Sequence, residues 1–139
     1  MASIVLADDD EDLRAVYGPF LRSAGHTVLE AAGGAEALEL VRSRRPDLLI
    51  LDVWMPRVNG FDVLEALRYD PAATGLKILM LSNLGDADTR LECFEMGASE
   101  YLVKGLPLAE LREKVDMLLA EGAETALESE ARPAPLPPS

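Results

Sequence analysis

The sequence predicts an α/β fold: an open, doubly wound, five-stranded parallel sheet with five helices packed on its two faces. Two observations lead to this prediction. Runs of strand-forming aliphatic residues alternate five times with stretches of helical periodicity. The runs "DLLIL" at 47–51 and "KILML" at 77–81 show no polar alternation, which is typical of parallel strands covered by helices on both faces.

The individual elements follow from these periodicities. The predicted strands, in chain order, are 3–7, 27–31, 47–51, 77–81 and 100–103. The helices between them are indicated by apolar residues three, four and seven positions apart, because such residues fall on one side of a helix. The apolar stripes lie within 13–24, 37–41, 63–67, 87–94 and 108–119.

The chain has the length of about one domain. Its periodic pattern stops after residue 121, and the remaining residues are mostly Ala, Glu and Pro, with little apolar surface to bury. We therefore expect a single domain over residues 1–121, followed by an acidic, Pro-rich and disordered tail over residues 122–139.

Composition excludes several classes of function. A formal charge of −12 and a pI near 4.4 disfavour direct binding to nucleic acid or to anionic membrane, since both are themselves negative. No stretch resembles a targeting peptide or is apolar for long enough to insert into a bilayer. Cys93 is the only cysteine, so an internal disulfide is excluded and a cytoplasmic location is expected.

Polar residues follow four of the predicted strands. The first strand is followed by the acidic run "DDDED" at 8–12, the third by Asp52, the fourth by Ser82 and the fifth by Lys104. In sheets of this class the carboxyl ends of the strands form one edge, where ligands bind. We therefore expect carboxylates, a hydroxyl and an ammonium group to lie together at that edge.

Each of these residues also has an ordinary explanation when it is taken alone. Asp9, Asp10 or Ser82 can cap the helix that follows it. Asp52 can be a turn residue, and Lys104 a solvated surface charge. The combination favours a functional site, because a separate ordinary explanation would have to hold for each of these residues at the same time.

The chemistry of such a cluster points to phosphoryl transfer. Several carboxylates at one edge repel each other, so that a cation is expected among them. Hard oxygen ligands suit Mg²⁺, and a carboxylate that shares this ion with a phosphoryl group can act as a nucleophile and form an aspartyl phosphate. A lysine ammonium and a serine hydroxyl would stabilise the charge on the phosphoryl oxygens.

Four segments in this order resemble the receiver domain of two-component response regulators, over about residues 3–120. They are "IVLADDDED", "DLLILDVWMPRVNG", "KILMLSN" and "GASEYLVK". The resemblance is to single-domain, chemotaxis-regulator-like receivers with a flavodoxin-like fold. It implies that Asp52 is the phosphoacceptor, and that Asp8, Asp9, Asp52 and the backbone carbonyl of Trp54 hold Mg²⁺, or Mn²⁺ in its place.

The resemblance also assigns roles to three other residues. Ser82 matches the switch hydroxyl, Lys104 matches the lysine at the site, and Tyr101 matches the aromatic residue that changes rotamer when the hydroxyl is drawn inward. The implied partners are a sensor histidine kinase or a histidine phosphotransfer protein, together with an unknown downstream target protein. The protein would be a stand-alone phosphoacceptor that signals through protein contacts, and not a turnover enzyme.

Three other functions fit parts of this pattern. A non-phosphorylated pseudo-receiver that acts as a docking module is the main alternative. A haloacid-dehalogenase-like phosphatase would need a second Asp two positions after the nucleophile, where this sequence has Trp54. A flavodoxin-like electron carrier would need a Ser-, Thr- or Gly-rich phosphate loop after the first strand.

Two features depart from the usual receiver pattern. Gly105 follows Lys104, where the family usually has a proline, so the peptide bond here is either trans or strained. The positions two residues after Asp52 and two after Ser82 are Trp54 and Leu84. Both are bulky and apolar, and we expect them to tune the lifetime of the phosphorylated state.

Overall fold

The computed structural model describes residues 2–131, with side chains described for residues 2–122. Strands and helices alternate along the chain, as the sequence predicted. The strands are β1 (Ser3–Ala7), β2 (Thr27–Ala31), β3 (Leu48–Asp52), β4 (Lys77–Ser82) and β5 (Glu100–Val103). The helices are α1 (Glu11–Ser23), α2 (Gly34–Arg44), α3 (Gly60–Leu67), α4 (Ala87–Glu95) and α5 (Leu108–Ala131), with a short 3₁₀ turn at Pro71–Ala73.

The strands form one parallel sheet in the order β2-β1-β3-β4-β5. This confirms the predicted fold class. Asp52 and Ser82, which were predicted to follow their strands, are the last residues of β3 and β4. Both polar side chains are therefore held by the hydrogen bonds of the sheet and not by a loop.

The core consists of two apolar layers, one on each face of the sheet. Helices α2, α3 and α4 pack on one face, where β3 contributes Leu49 and Leu51. Helices α1 and α5 pack on the other face, where β3 contributes Leu48 and Ile50. Every residue of β3 is buried, which explains why its sequence shows no polar alternation.

The connection from β3 to α3 fits tightly against the end of β3. A Cβ atom added at Gly60 would lie 2.5 Å from the backbone oxygen of Asp52 and 2.8 Å from the Cα of Val53. The backbone N–H of Gly60 also donates a hydrogen bond to the Val53 oxygen at 2.8 Å. Asn59 begins helix α3 with a reciprocal capping pair to Asp62. The loop after Asp52 can therefore close only because residue 60 has no side chain.

Helix α5 differs from the prediction in its length. The backbone continues as a helix to Ala131, whereas regular structure was expected to end near residue 121. The physical reason is that residues 122–131 contain three Ala, three Glu and one Leu and no proline, so helix propensity favours continuation of the helix. Residues 132–139 lie outside the described residues, and the domain boundary at 121 stays a prediction. Neither α5 nor any other described helix is long and apolar enough to cross a membrane.

We predict that Gly60→Ala lowers the free energy of unfolding by about 2 kcal/mol or more, because the new methyl group meets backbone atoms that cannot rotate away. The matched control is Gly33→Ala. Gly33 has a φ of −169°, and a Cβ added there meets no atom within 4 Å, so the change should stay within about 1 kcal/mol. Urea unfolding of both variants checks this prediction. Equal losses in the two variants would contradict it.

Candidate functional site

Four strands deliver polar side chains to one edge of the sheet. Asp8 follows β1, Asp52 ends β3, Ser82 ends β4 and Lys104 follows β5. β1 and β3 are neighbours, and the sheet continues outward from them in opposite directions. Ligands bind at this kind of switch point in open α/β sheets. The structure thus gathers the residues at the edge where the sequence predicted them.

Three carboxylates form a compact cluster at this edge. Asp8, Asp9 and Asp52 each offer an oxygen, and these oxygens lie within 4.8 Å of one another. Asp8 is 1% exposed and Asp52 is 4% exposed, while Asp9 is exposed. Asp10 lies outside the cluster, because its Oδ1 accepts from the backbone N–H groups of Asp12 at 3.0 Å and Leu13 at 3.3 Å. The capping explanation therefore holds for Asp10, whereas Asp9 belongs to the cluster.

Lys104 lies between two of these carboxylates. Its Nζ is 2.9 Å from Asp8 Oδ2 and 3.2 Å from Asp52 Oδ1, and its side chain is 11% exposed. It is therefore not a solvated surface charge. The described residues contain no cis peptide bond, so the bond from Lys104 to Gly105 is trans, and Gly105 has a φ of +89° that favours glycine.

The single positive charge of Lys104 does not balance the negative charges of the carboxylates around it. Burial, followed by the charge of Asp8, raises the pKa of Asp52 to about 7, although the charge and hydrogen bond of Lys104 lower it. Burial also lowers the pKa of Lys104. The hydrogen bond to Asp8 and the two carboxylate charges outweigh this effect, so the pKa of Lys104 is raised. Lys104 therefore stays charged, and a further cation would stabilise the charged form of Asp52.

The donor atoms of the cluster fit a hard divalent cation. Asp8 Oδ1 accepts a hydrogen bond from the Asp10 backbone N–H at 2.9 Å. Asp8 Oδ2 is buried, and the ammonium of Lys104 lies 2.9 Å from it. Carboxylate oxygens of three residues within 4.8 Å of one another are the kind of donor set that Mg²⁺ accepts. The backbone N–H of Trp54 donates to Asp52 Oδ1 at 3.3 Å, whereas a metal contact by the Trp54 carbonyl stays a prediction.

Ser82 and Tyr101 meet at the backbone of Leu84. The Ser82 hydroxyl is fully buried, and its Oγ accepts a hydrogen bond from the Leu84 N–H at 3.1 Å. Tyr101 is also buried, and its hydroxyl donates a hydrogen bond to the Leu84 carbonyl. Ser82 does not cap the next helix, because Asp86 does so. Ser82 and Tyr101 are therefore connected through the backbone of Leu84, which bonds to both side chains.

Trp54 and Leu84 are both large, apolar and about half exposed, at 50% and 49%. Trp54 packs edge-to-face on Phe61, with ring centroids 5.5 Å apart. Each follows a site residue by two positions, and neither carries a carboxylate or an amide side chain. Their role in lifetime tuning stays a prediction.

One feature of the site was missed from the sequence. The carbonyl of Leu84 accepts a hydrogen bond from the Tyr101 hydroxyl, whereas the sequence pointed only to a role for the Leu84 side chain. A backbone contact of this kind is set by the path of the chain after β4, and every residue type has the same carbonyl group. Side-chain patterns carry no signal for it.

Comparisons with known proteins agree with this geometry. A family model described as the response regulator receiver domain matches residues 4–116. The transcriptional regulatory protein PrrA of Mycobacterium tuberculosis is 38% identical over 126 residues, which are 91% of this chain and 53% of PrrA. The DNA-binding dual master transcriptional regulator RpaA of Synechocystis is 34% identical over 119 residues, which are 86% of this chain and 49% of RpaA.

This chain therefore spans about half the length of these curated relatives. Among solved structures, the Vibrio cholerae chemotaxis protein CheY4 is 31% identical with a TM-score of 0.81, and the match covers 85% of this chain and 98% of that chain. The family model covers most of the chain, and it includes Asp8, Asp52, Ser82 and Lys104. The chain belongs to the response regulator receiver domain family.

Proposed function

We propose that this receiver domain accepts a phosphoryl group on Asp52 from a sensor histidine kinase or a histidine phosphotransfer protein, in a Mg²⁺-dependent reaction. The observation that carries the proposal is the placement of Asp52, which is buried beside Asp8 with Lys104 Nζ at 3.2 Å from its Oδ1. A carboxylate in this position is held in place by the sheet and lies close to groups that stabilise an incoming phosphoryl group.

The transfer itself needs little chemistry from the protein. A carboxylate oxygen of Asp52 attacks phosphorus, the bond from phosphorus to the histidine nitrogen of the donor breaks, and the imidazole leaves with the electron pair. Lys104 is within hydrogen-bond distance of the carboxylate oxygen. Its ammonium can therefore stabilise the negative charge on the phosphoryl oxygens during the transfer. Ser82 supplies a hydroxyl from the neighbouring strand. The residues of this chain thus mainly orient the groups and stabilise charge.

Asp8, Asp9 and Asp52, with the Trp54 carbonyl, are the proposed ligands of Mg²⁺ or Mn²⁺. When bound, this ion would neutralise carboxylates and phosphoryl oxygens that otherwise repel each other. The proposal is supported by the three carboxylates whose oxygens lie within 4.8 Å of one another. We include a cytoplasmic location in the proposal, because the only cysteine, Cys93, is buried and free.

We propose that output passes through protein contacts. Ser82 and Tyr101 are linked through Leu84, so a phosphoryl group that draws in the serine hydroxyl changes the hydrogen bonding of Tyr101. The formal charge of −12 opposes direct contact with nucleic acid. The protein is then a phosphoacceptor that takes part in its own phosphorylation and dephosphorylation, and not a turnover enzyme.

The competing proposal is a pseudo-receiver that docks on partners without phosphorylation. The geometry favours the phosphorylated receiver, because a docking module has no need for two buried carboxylates and a buried ammonium. Burying such charges is costly unless they are paired.

We predict that Asp52→Asn abolishes labelling by acetyl phosphate, phosphoramidate or a phosphorylated kinase, because the amide keeps the shape and removes the nucleophile. Asp88→Asn is the matched control, since Asp88 lies exposed in the first turn of α4 and its loss leaves the site intact. Mass spectrometry of the intact protein measures the labelling. If Asp52→Asn labels as well as wild type, or if wild type never labels, the pseudo-receiver is the better description.

We predict that Asp9→Ala weakens Mg²⁺ binding at least about tenfold, because it removes one of three carboxylates from a site of few ligands. Trp54 is the only tryptophan, and its fluorescence during a Mg²⁺ titration gives the affinity without any phosphodonor. Asp88→Ala is the control for the loss of one negative charge. An unchanged titration in Asp9→Ala would show that Asp9 is not a ligand.

The phosphorylated state is proposed to be long-lived. Hydrolysis needs a water molecule in line with phosphorus, and Trp54 and Leu84 follow the two site residues that would flank its approach. Neither side chain has a group that can accept a proton from water, as a general base would. The signal would then be ended by a partner protein rather than by fast hydrolysis.

We predict that the double change Trp54→Asn with Leu84→Glu shortens the lifetime of phosphorylated protein at least about tenfold, a barrier change near 1.4 kcal/mol. Decay of the labelled protein in excess Mg²⁺, after removal of the donor, measures it. Leu91→Glu controls for adding a carboxylate, because Leu91 is 58% exposed on α4. If wild type decays as fast as the double variant, the side chains do not control hydrolysis.

A further inference from the structure

Strand β2 forms one edge of the sheet, and among the described strands only β1 pairs with it. The backbone N–H of Thr27, the first residue of β2, donates a hydrogen bond to the Ala2 oxygen at 2.9 Å and so faces β1. In a parallel strand, the backbone groups of every second residue face the same neighbouring strand. The backbone groups of Val28 and Glu30 therefore face the open edge.

A side chain of helix α1 occupies part of this edge. Arg22 Nη2 donates a hydrogen bond to the Val28 carbonyl at 2.9 Å and lies 3.1 Å from Glu30 Oε2. Arg14 Nη1 lies 3.8 Å from the other carboxylate oxygen of Glu30. Arg22 thus contacts both residues whose backbone groups face outward, and its bond to Val28 uses one of the groups that a further strand would need.

Helix α1 has a glycine at the place where this side chain passes from the helix to the strand. Gly18 lies four residues after Arg14 and four before Arg22, on the same side of the helix. Glycine is less favourable than alanine inside a helix, and Pro19 follows it. A Cβ atom added at residue 18 would lie 3.2 Å from Arg22 Nη1 and 3.2 Å from Glu30 Oε2. The absence of a side chain leaves space for this ion pair.

We propose that the open edge of β2 is a pairing surface for a second copy of this chain, and that Arg22 keeps it closed. The edge is self-complementary. Antiparallel pairing about a two-fold axis through Leu29 places Val28 of one copy opposite Glu30 of the second copy, and two residues opposite each other in this way exchange two hydrogen bonds. The inference does not rest on phosphorylation.

The net charge of the chain acts in the same direction as Arg22. A formal charge of −12 makes two copies repel each other at low ionic strength. Arg22 acts at short range, because its guanidinium bonds directly to the Val28 carbonyl. The two effects are separable, since salt screens the repulsion between exposed charges and leaves a short hydrogen bond in place.

The test compares Arg22→Met with wild type, because methionine keeps a long unbranched side chain and loses every hydrogen-bond donor. Sedimentation is measured at about 0.5 M salt, which screens the repulsion between copies. The variant is expected to dimerise with a Kd below about 1 mM, at least about tenfold tighter than wild type. Arg112→Met is the matched control and is expected to sediment as wild type does, because Arg112 is 58% exposed and pairs only with Asp116 of its own helix, at 3.9 Å.

Amide hydrogen exchange tests where the copies meet. In concentrated Arg22→Met, the N–H groups of Val28 and Glu30 are expected to exchange at least about fivefold more slowly than in the dilute variant, because the second copy protects them. The Leu29 N–H faces β1 with or without a second copy. Its exchange rate is expected to change less than about twofold.

Three results would overturn the proposal. These are equal self-association of Arg22→Met and Arg112→Met, a folded Arg22→Met that stays monomeric up to about 1 mM, or dimers in which the Val28 and Glu30 amides exchange at unchanged rates. Should Arg22→Met fail to fold, Glu30→Gln replaces it, because it removes the ion pair that holds the guanidinium at the edge. Glu30→Gln is expected to strengthen self-association at least about threefold more than Asp88→Asn, which removes one exposed negative charge elsewhere. Equal effects of these two changes would count against the proposal.

Discussion

The contact of Lys104 with Asp8 and Asp52 is the interaction on which the site depends. The ammonium of Lys104 lies 2.9 Å from Asp8 Oδ2 and 3.2 Å from Asp52 Oδ1, and all three groups are largely withdrawn from water. The ammonium compensates both carboxylates, so its removal would leave buried negative charge without a partner. The three residues come from β1, β3 and the end of β5. Their contact therefore requires the whole parallel sheet to be in register.

The imbalance of this cluster is as important as its pairing. Two buried carboxylates face one ammonium, and the exposed Asp9 adds a third negative charge. A neutral site would have no electrostatic reason to take up a divalent cation or to accept phosphoryl transfer. The aliphatic core around β3 and the missing side chain at Gly60 keep the carboxylates from moving apart to relieve their repulsion. The fold thus maintains a local excess of negative charge that a bound cation can neutralise.

Some features of the site and the fold could be predicted from the sequence and others could not, and the difference lies in the kind of interaction. Asp8, Asp52, Ser82 and Lys104 were predictable, because parallel strands place their carboxyl ends at one edge whatever the details of packing. The Leu84 carbonyl was not, because a backbone acceptor has no residue-type signal. The continuation of α5 to Ala131 was not predicted either, because apolar periodicity is lost after residue 121 although Ala and Glu have a high helix propensity. The cavity of about 970 Å³ that Lys77 and α5 border depends on how α5 packs beside the sheet, which periodicity does not specify.

Strand β4 runs from one end of the sheet to the other, because it begins at Lys77 and ends at Ser82. At about 3.3 Å per residue, its ends are roughly 17 Å apart. Coupling between the two ends would need an element with two arrangements, and a central strand that pairs with both β3 and β5 has only one. A rearrangement near Asp52 therefore falls on the segment after β4, where Ser82 and Tyr101 both bond to the backbone of Leu84.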